Sequence, residues 1–148
     1  MPNDNYALSA KSQQTIAAWR RALPSKNVEL LKPLLAEHAT FHSPAVQSPI
    51  KGRDAAFLVL TAVAEVLDNM SYHRTFVGGP CEVALEFSGD VGKLHLTGVD
   101  LMRLDADGLV VEFEVIMRPL RALSALAEAV GSRIGPQLLQ MKLKPDPG

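Results

Sequence analysis

Apolar residues recur at helical spacing in the first half of the chain, up to about Asn69. One such stretch follows Ser9 and Ser12, either of which can cap a helix, and it ends before Pro24. The pattern therefore predicts a first helix that carries Trp19 on its apolar side.

Two further helices and one short extended segment are predicted before the pattern changes. Residues 25–38 predict a shorter helix with His38 at its end, where a cationic side chain suits the helix carbonyls. Residues 39–44 predict a short extended segment that ends at a proline. Residues 52–67 predict a strongly apolar third helix.

After Asn69, apolar and polar residues alternate, which is typical of strands with one face toward a core. Gly and Asp in the intervening turns favour hairpins. Four consecutive strands are therefore predicted, at residues 70–79, 81–90, 93–105 and 109–119. A last helix is predicted from Arg118 to Val130, with Pro119 in its first turn. Gly131 and Gly135 with the following proline are expected to break it, and residues 136–142 can add one more turn.

Helices followed by an antiparallel meander of strands indicate an α+β fold. Strands of this length form a sheet that twists and curls. We expect a cone-shaped curved antiparallel sheet wrapped around the N-terminal helices, with a C-terminal helix. A single domain spans residues 1–148 in this prediction, with its core at about 9–134 and a loose tail at 142–148. The mouth of such a cone is a natural ligand pocket.

Composition and charge restrict the classes of function. Hydrophobic residues make up 47% of the 148 residues, charged residues make up 21%, and the formal net charge is −1. These values are typical of one soluble globular domain and lack the basic charge expected for nucleic-acid or anionic-membrane partners. Because Cys81 is the only cysteine and no secretory signal is recognised, we expect a cytoplasmic protein.

One carboxylate interrupts the apolar face of the third predicted strand. Along Leu94–Leu104, every second residue is apolar or glycine except Asp100. Burial disfavours the charged form of a carboxyl group, so the pKa of Asp100 is expected to be raised. A perturbed acid in a hydrophobic cavity is a candidate functional group. The alternative is a structural carboxyl group, hydrogen-bonded to a buried indole or hydroxyl.

Apolar residues on the same predicted sheet face surround this carboxylate. They are the predicted ligand contacts of the sheet: Leu85, Phe87, Met102, Phe113, Val115 and Met117. No pair of histidines has the spacing of metal ligands, so neither a metal ion nor a cofactor is expected.

The order of elements and three segments of sequence resemble the nuclear transport factor 2-like superfamily. The segments are LLAEHATFHSP (34–44), KGRDAA (51–56) and GVDLMRLDADGLVVEFEV (98–115). The superfamily includes ketosteroid isomerases, limonene-epoxide hydrolases and SnoaL-like polyketide cyclases, and FHSP with VIMRPLRAL also resembles a SnoaL-like subgroup of undefined function. The resemblance implies the curved-sheet fold but no single activity, because one fold carries many activities.

Compared with ketosteroid isomerases, the chain keeps one of three functional groups. Asp100 matches the protonated aspartic acid that donates to the developing oxyanion in those enzymes. Trp19 matches the position of their tyrosine donor, and Ser43 matches the position of their aspartate base. A serine hydroxyl without a base of its own does not take a proton from carbon at neutral pH, so the isomerase mechanism is not expected.

The other two enzyme classes match the chain less well. Epoxide hydrolases have an arginine two residues before the first aspartate, where this chain has Gly98. Those enzymes and the cyclases also carry an acid on the last strand. The residues of that strand predicted to point inward are Val111, Phe113, Val115 and Met117, so neither mechanism is expected.

The isomerase match also bears on which residue of the short extended segment faces the pocket. It places Phe41 and Ser43 inward and His42 outward, because neighbours in a strand point to opposite faces. A bulge would instead place His42 in the pocket as a general base. The candidate catalytic residues are therefore Asp100, His42 and Ser43, and Phe41 joins Trp19 as a predicted ligand contact.

Three functions remain open. The protein can be an enzyme of isomerase, cyclase or hydrolase type, a binding protein without turnover, or an interaction module whose cone is filled by side chains. We favour a small, mostly apolar molecule bound around Asp100. The outer strand faces mix apolar residues with Glu82, Glu86, Glu112 and Glu114, and relatives dimerise through this face. The resemblance therefore implies a homodimer, and neither nucleic acid nor a membrane is expected as a partner.

Overall fold

Residues 7–143 are described by a computed structural model. The elements are α1 (Ala10–Ala22), β1 (Leu35–His42), β2 (Ile50–Lys51), α2 (Arg53–Val66), β3 (Asp68–Gly79), β4 (Glu82–Val91), β5 (Leu94–Leu104), β6 (Val110–Arg118) and α3 (Leu120–Leu143). Most of the predicted tail, from residue 144 onward, lies outside the described residues. None of the described helices combines the length and hydropathy needed to cross a membrane.

Six strands form one curved sheet in the order β2-β1-β6-β5-β4-β3. Strands β3 to β6 are the predicted antiparallel meander, while β1 pairs parallel to β6 and antiparallel to β2. Leu85, Asp100 and Val115 lie level with one another on β4, β5 and β6. The helices and this sheet confirm the predicted α+β class.

Helix α1 begins where the serines predict. The side chain of Ser9 accepts a hydrogen bond from the Ser12 backbone N–H at 3.2 Å and so caps the helix. Ile16, Trp19 and Leu23 are buried along one side of α1. The helix therefore places the only tryptophan of the chain in the core beneath the sheet.

The prediction of a helix over residues 25–38 is wrong. Two short 3₁₀ turns, Val28–Leu30 and Lys32–Leu34, occupy part of it, and β1 already begins at Leu35. Proline at position 33 cannot donate to a continuing helical ladder, and 3₁₀ segments of this length are common connectors. His38 is consequently an exposed strand residue and does not end a helix.

Helix α3 is longer than predicted. It does not end at Gly131 or Gly135 but continues through Pro136 to Leu143 over 24 residues. Ile134 lies in the core and Leu138 packs against it, so the apolar side of the helix remains in contact with the protein beyond both glycines. This packing outweighs the unfavourable helix propensities of glycine and proline.

A bulge in β6 corrects which residues at its start point inward. Leu104 pairs with Val110, whereas the preceding Arg103 pairs with Glu112, so Val111 is an extra residue between the two pairs. Val110 is completely buried, although strict alternation predicts it on the outer face, and Val111, predicted inward, is only partly buried. The rest of the strand alternates as predicted.

Candidate ligand-binding site

A cavity of about 180 Å³ lies against the inner face of the sheet, with α2 and α3 contributing to its wall. Asp100 and Ser43 are the only polar residues of that wall within the described chain, and the exposed wall residues Ala45, Val46 and Gly131 mark its opening. A cavity of about 150 Å³ can bind benzene, whereas drug-sized ligands occupy pockets of about 300 Å³ or more. The cavity therefore has room for roughly one ring.

Asp100 is the polar end of this cavity. Its side chain is buried, and its Oδ2 accepts a hydrogen bond from the Tyr72 hydroxyl at 3.1 Å. Burial raises the pKa of Asp100 to about 7, while the Tyr72 hydroxyl and the Trp19 indole act in the opposite direction. Near neutral pH the carboxyl group therefore exists in both forms.

Tyr72 is the partner of Asp100 that sequence reasoning missed. Burial and the adjacent Asp100 raise the pKa of the Tyr72 hydroxyl well above its ordinary range, so Tyr72 is a neutral donor. Its ring also packs edge-on against Phe87, with 6.2 Å between centroids. Strand β3 shifts register against β4 between Tyr72 and Thr75, so simple alternation does not identify its inward residues.

Trp19 lies beside the carboxyl group but not in the cavity wall. The side chain is completely buried, and it is close enough to lower the pKa values of both Asp100 and Tyr72. Its indole Nε1 nevertheless has no partner at hydrogen-bonding geometry among the described residues. A buried N–H without an acceptor is costly, and the group that this indole lies beside is the carboxyl group of Asp100.

The predicted ligand contacts divide into two groups. Phe41, Phe87, Val115 and Met117 lie in the cavity wall together with Asp100 and Ser43. Leu85, Met102 and Phe113 are buried but do not line the cavity. For Phe113 the reason is visible: its ring stacks on Phe41 at 4.5 Å and meets Trp19 edge-on at 5.5 Å between centroids. Side chains thus fill this part of the cone.

His42 lies on the opposite side of the sheet from the cavity. Its Nε2 is 3.9 Å from Glu112 Oε2, and it lines a groove on the outer sheet face. Phe41 and His42 pair in unbroken register with Phe113 and Glu114, so the bulge that would turn His42 inward is absent at this point. The assignment of His42 as a catalytic residue of the cavity is therefore wrong.

The histidines of β3 and β5 are also on the outer surface. His73 Nε2 lies 2.7 Å from Ser88 Oγ, and His95 Nδ1 lies 2.7 Å from Asp90 Oδ1, both in exposed settings. Among residues 7–143, no group of three or more His, Cys, Asp or Glu side chains is arranged to hold a metal ion.

Ser43 reaches the cavity, as the isomerase match implies. Its Oγ accepts a hydrogen bond from the Ala45 backbone N–H at 3.1 Å, so its own proton is free to be donated. No histidine or carboxylate of the described chain contacts this hydroxyl. Ser43 can therefore donate to a ligand oxygen, but it has no adjacent base that would activate it.

Gly98 explains why an arginine has no place beside Asp100. A Cβ at this position would lie 2.5 Å from Phe87 Cζ and 2.7 Å from the Ile116 carbonyl oxygen. Because the backbone oxygen is fixed by the sheet, a side chain would force β5 and β6 apart. The epoxide-hydrolase arrangement is thus sterically incompatible with this site, and the inward residues of β6 supply no second acid.

Comparisons with known proteins place the chain in a family by structure. No protein-family model matches it, and no curated protein matches it. A steroid delta-isomerase from Pseudomonas aeruginosa is 35% identical with a TM-score of 0.83, covering 89% of this chain and 97% of that one. An uncharacterized protein conserved in bacteria, with a cystatin-like fold, from Silicibacter pomeroyi is 34% identical with a TM-score of 0.81, covering 90% and 94%.

A nuclear transport factor 2-like protein of unknown function from Mesorhizobium loti shares the fold at 20% identity, with a TM-score of 0.67 over 80% of this chain and 98% of that one. The first two similarities extend over nearly the whole length of both chains at more than 30% identity. The protein therefore belongs to the nuclear transport factor 2-like superfamily, with its cystatin-like fold.

Proposed function

We propose that the protein binds a small, mostly apolar molecule in the cavity and that Asp100 hydrogen-bonds the one polar group of that molecule. The observation that carries this proposal is an apolar cavity wall that holds a single buried carboxyl group, whose Oδ2 accepts a hydrogen bond from Tyr72. A buried acid costs stability. The placement of this acid in the wall of an apolar cavity supports a ligand-binding role.

The protonation state of Asp100 indicates which polar group suits the site. With a pKa of about 7, the carboxyl group is mostly neutral in mildly acidic solution and can then donate its proton to an acceptor oxygen. The free hydroxyl proton of Ser43 is a second donor in the cavity wall. A carbonyl oxygen therefore complements the site better than an amine or an acid.

Steroid isomerisation has one observation in its favour, the 35% identity to a protein described as a steroid delta-isomerase. That reaction moves a proton between carbon atoms and needs a base. Ser43 stands where the resemblance implies the base, and it contacts only a backbone N–H. We therefore propose binding as the function of the cavity and assign no isomerase step to it.

We expect Asp100→Ala to weaken binding of cyclohexenone, a one-ring ketone, at least tenfold at pH 6. The variant removes a buried hydrogen bond, which contributes about 1–3 kcal/mol when its loss leaves the partner unsatisfied. Binding can be followed through the fluorescence of Trp19, the only tryptophan, which lies beside Asp100.

Asp107→Ala is the matched control, because this aspartate is exposed in a turn and pairs only loosely with Lys11. It should bind cyclohexenone like the wild type. Unchanged affinity in Asp100→Ala would contradict the proposal. If Asp100→Ala fails to fold, Asp100→Asn keeps the shape and one donor. Its affinity should then no longer depend on pH between 5 and 8, whereas wild-type affinity should fall as pH rises.

We also propose that the outer sheet face forms a homodimer interface. Phe76, Leu101 and Ile116 expose 52%, 39% and 53% of their surfaces on this face, beside a groove of about 700 Å³. Exposed apolar clusters of this kind are typical of protein interfaces. Light scattering should give the mass of a dimer for the wild type and of a monomer for Ile116→Glu, since burying a charge opposes association. A monomeric wild type would refute the dimer.

A further inference from the structure

Gly131 is a glycine that neither backbone geometry nor close contact requires. It lies in the interior of α3 and is not among the glycines with positive φ, which are Gly52, Gly92 and Gly108. A Cβ built on Gly131 meets nothing within 4 Å. Glycine in a helix interior makes the helix less stable than alanine does. No structural feature of this position requires the glycine.

Other glycines of the chain show the requirements that Gly131 lacks. Gly98 has no room for a side chain against Phe87, and Gly108 combines positive φ with a contact to the Lys11 backbone. Gly135 precedes Pro136, and the proline ring crowds the Cβ of the preceding residue, which glycine lacks. Gly131 has none of these explanations.

The surroundings of Gly131 connect it with the cavity. Gly131 lines the cavity wall and is exposed, so it lies where the cavity opens toward solvent. Ala127, one turn earlier on the same side of α3, also lines the cavity. The neighbouring wall residues of the helix, Val130 and Ile134, are large and pack against the core. Gly135, which precedes Pro136, lines the wall as well, so small residues leave free space between the large ones, and Gly131 is the exposed one of the two glycines.

An independent feature of the same cavity indicates that a ligand occupies it. The carboxyl group of Asp100 is buried in the otherwise apolar wall, and its Oδ2 accepts a hydrogen bond from the Tyr72 hydroxyl. The volume of about 180 Å³ exceeds what benzene needs but is smaller than the pockets of multi-ring ligands. Space at the opening and a buried acid in the wall together describe a site for one ring.

We propose that Gly131 determines the size of ligand that enters the cavity, and that the ligand class is a one-ring ketone or a molecule of similar size and polarity. This inference rests on the proposed function, because it assumes that the ligand is held at Asp100. It differs from that function in naming the residue that controls entry and the upper limit of ligand size.

Gly131→Ala should stabilise the fold and weaken ligand binding at the same time. Alanine favours the helix, so we expect the melting temperature to rise by roughly 2–4 °C. The added methyl group narrows the opening, so the affinity for cyclohexenone should fall about tenfold, as one extra carbon typically does in an apolar pocket. Gly131→Leu should abolish detectable binding of the same probe.

Ser132→Ala is the matched control. This residue is adjacent in α3, exposed and absent from the cavity wall, and its hydroxyl donates to the Glu128 carbonyl oxygen. Replacing it also favours the helix, but cyclohexenone affinity should not change. If Gly131→Ala and Gly131→Leu both bind cyclohexenone like the wild type, Gly131 does not control entry and the inference is overturned.

A series of ketones separates this inference from the function on which it rests. Cyclohexenone, tetralone and androstenedione offer one, two and four rings with the same type of polar group. We expect wild-type affinity, measured by Trp19 fluorescence and calorimetry, to decrease in that order. If androstenedione binds most tightly and Asp100→Ala abolishes its binding, the size limit is wrong while the function stands. If no ketone binds the wild type, both proposals fail.

Discussion

Raising the pH from 4 to 8 should lower the contribution of Asp100 to the free energy of unfolding by about 4 kcal/mol, as the shift of its pKa implies. The ordinary pKa of this side chain is 3.8, and burial raises it to about 7 in the folded protein. Between these values the folded state holds a proton that the unfolded state has released. The stabilisation is therefore fully present below pH 3.8 and is lost as pH rises through about 7.

Two surface carboxylates change the free energy of unfolding in a different pH range. Arg74 lowers the pKa of Glu86 to about 2, and the bonds of Asp90 to His95 and Asn69 lower its pKa as well. Because their pKa values are lowered, these two groups increase the free energy of unfolding as pH rises through the acid range below about 4.5. This change is opposite in sign to that caused by Asp100. Between pH 5 and 8, the decrease caused by Asp100 should dominate over these two groups.

Urea unfolding of the wild type and of Asp100→Asn at several pH values measures this contribution. Asparagine has no proton to lose, so the difference between the two proteins should favour the variant increasingly from pH 5 to 8. Asp107→Asn is the control, because this aspartate is exposed. Its plot of unfolding free energy against pH should run parallel to that of the wild type. Parallel curves for Asp100→Asn and the wild type would show that folding does not raise the pKa of Asp100, which would contradict the prediction.

The parts of the fold that sequence predicts are those in which a local pattern and the tertiary environment agree. In β5, every second residue faces the core, so the alternation of the strand alone is enough to reveal the exception at Asp100. Hairpin turns between β3 and β6 keep each strand in the expected order. The family resemblance places Ser43 at the cavity correctly because the register of β1 against β6 is regular there.

The errors arise where tertiary contacts decide the local structure. The parallel ladder with β6 holds the chain extended from Leu35 onward, although the apolar spacing of residues 25–38 favours a helix. Packing of Ile134 against the core carries α3 through two glycines and a proline. Neither contact partner is close in sequence, so a local pattern does not contain this information.

The sequence predicts the cavity less completely than the acid within it. Alternation misses Tyr72 because β3 is irregular, and it misses the wall contributed by α3 because the packing of that helix against the cavity is a tertiary contact. Both omissions matter chemically. Tyr72 determines which oxygen of Asp100 is already occupied, and α3 borders the opening through which a ligand enters. Ligand size therefore cannot be derived from the strands alone.

Phe113→Ala should lower the free energy of unfolding by about 3–5 kcal/mol, the range measured for truncating fully buried aromatic residues. Phe113 has no exposed surface, and its ring lies between Phe41 at 4.5 Å and Trp19 at 5.5 Å. The variant removes both aromatic contacts and leaves a void in the centre of the core. Chemical denaturation followed by circular dichroism measures this loss without relying on Trp19, whose surroundings also change.

Phe113→Leu separates a core residue from a ligand contact. Leucine retains much of the buried volume, so we expect a smaller loss, about 1–1.5 kcal/mol, as for other large apolar exchanges. Because Phe113 does not line the cavity, this variant should bind cyclohexenone with nearly wild-type affinity. A strong loss of affinity at nearly unchanged stability would instead make Phe113 a direct ligand contact. The filled part of the cone would then have to open when ligand binds.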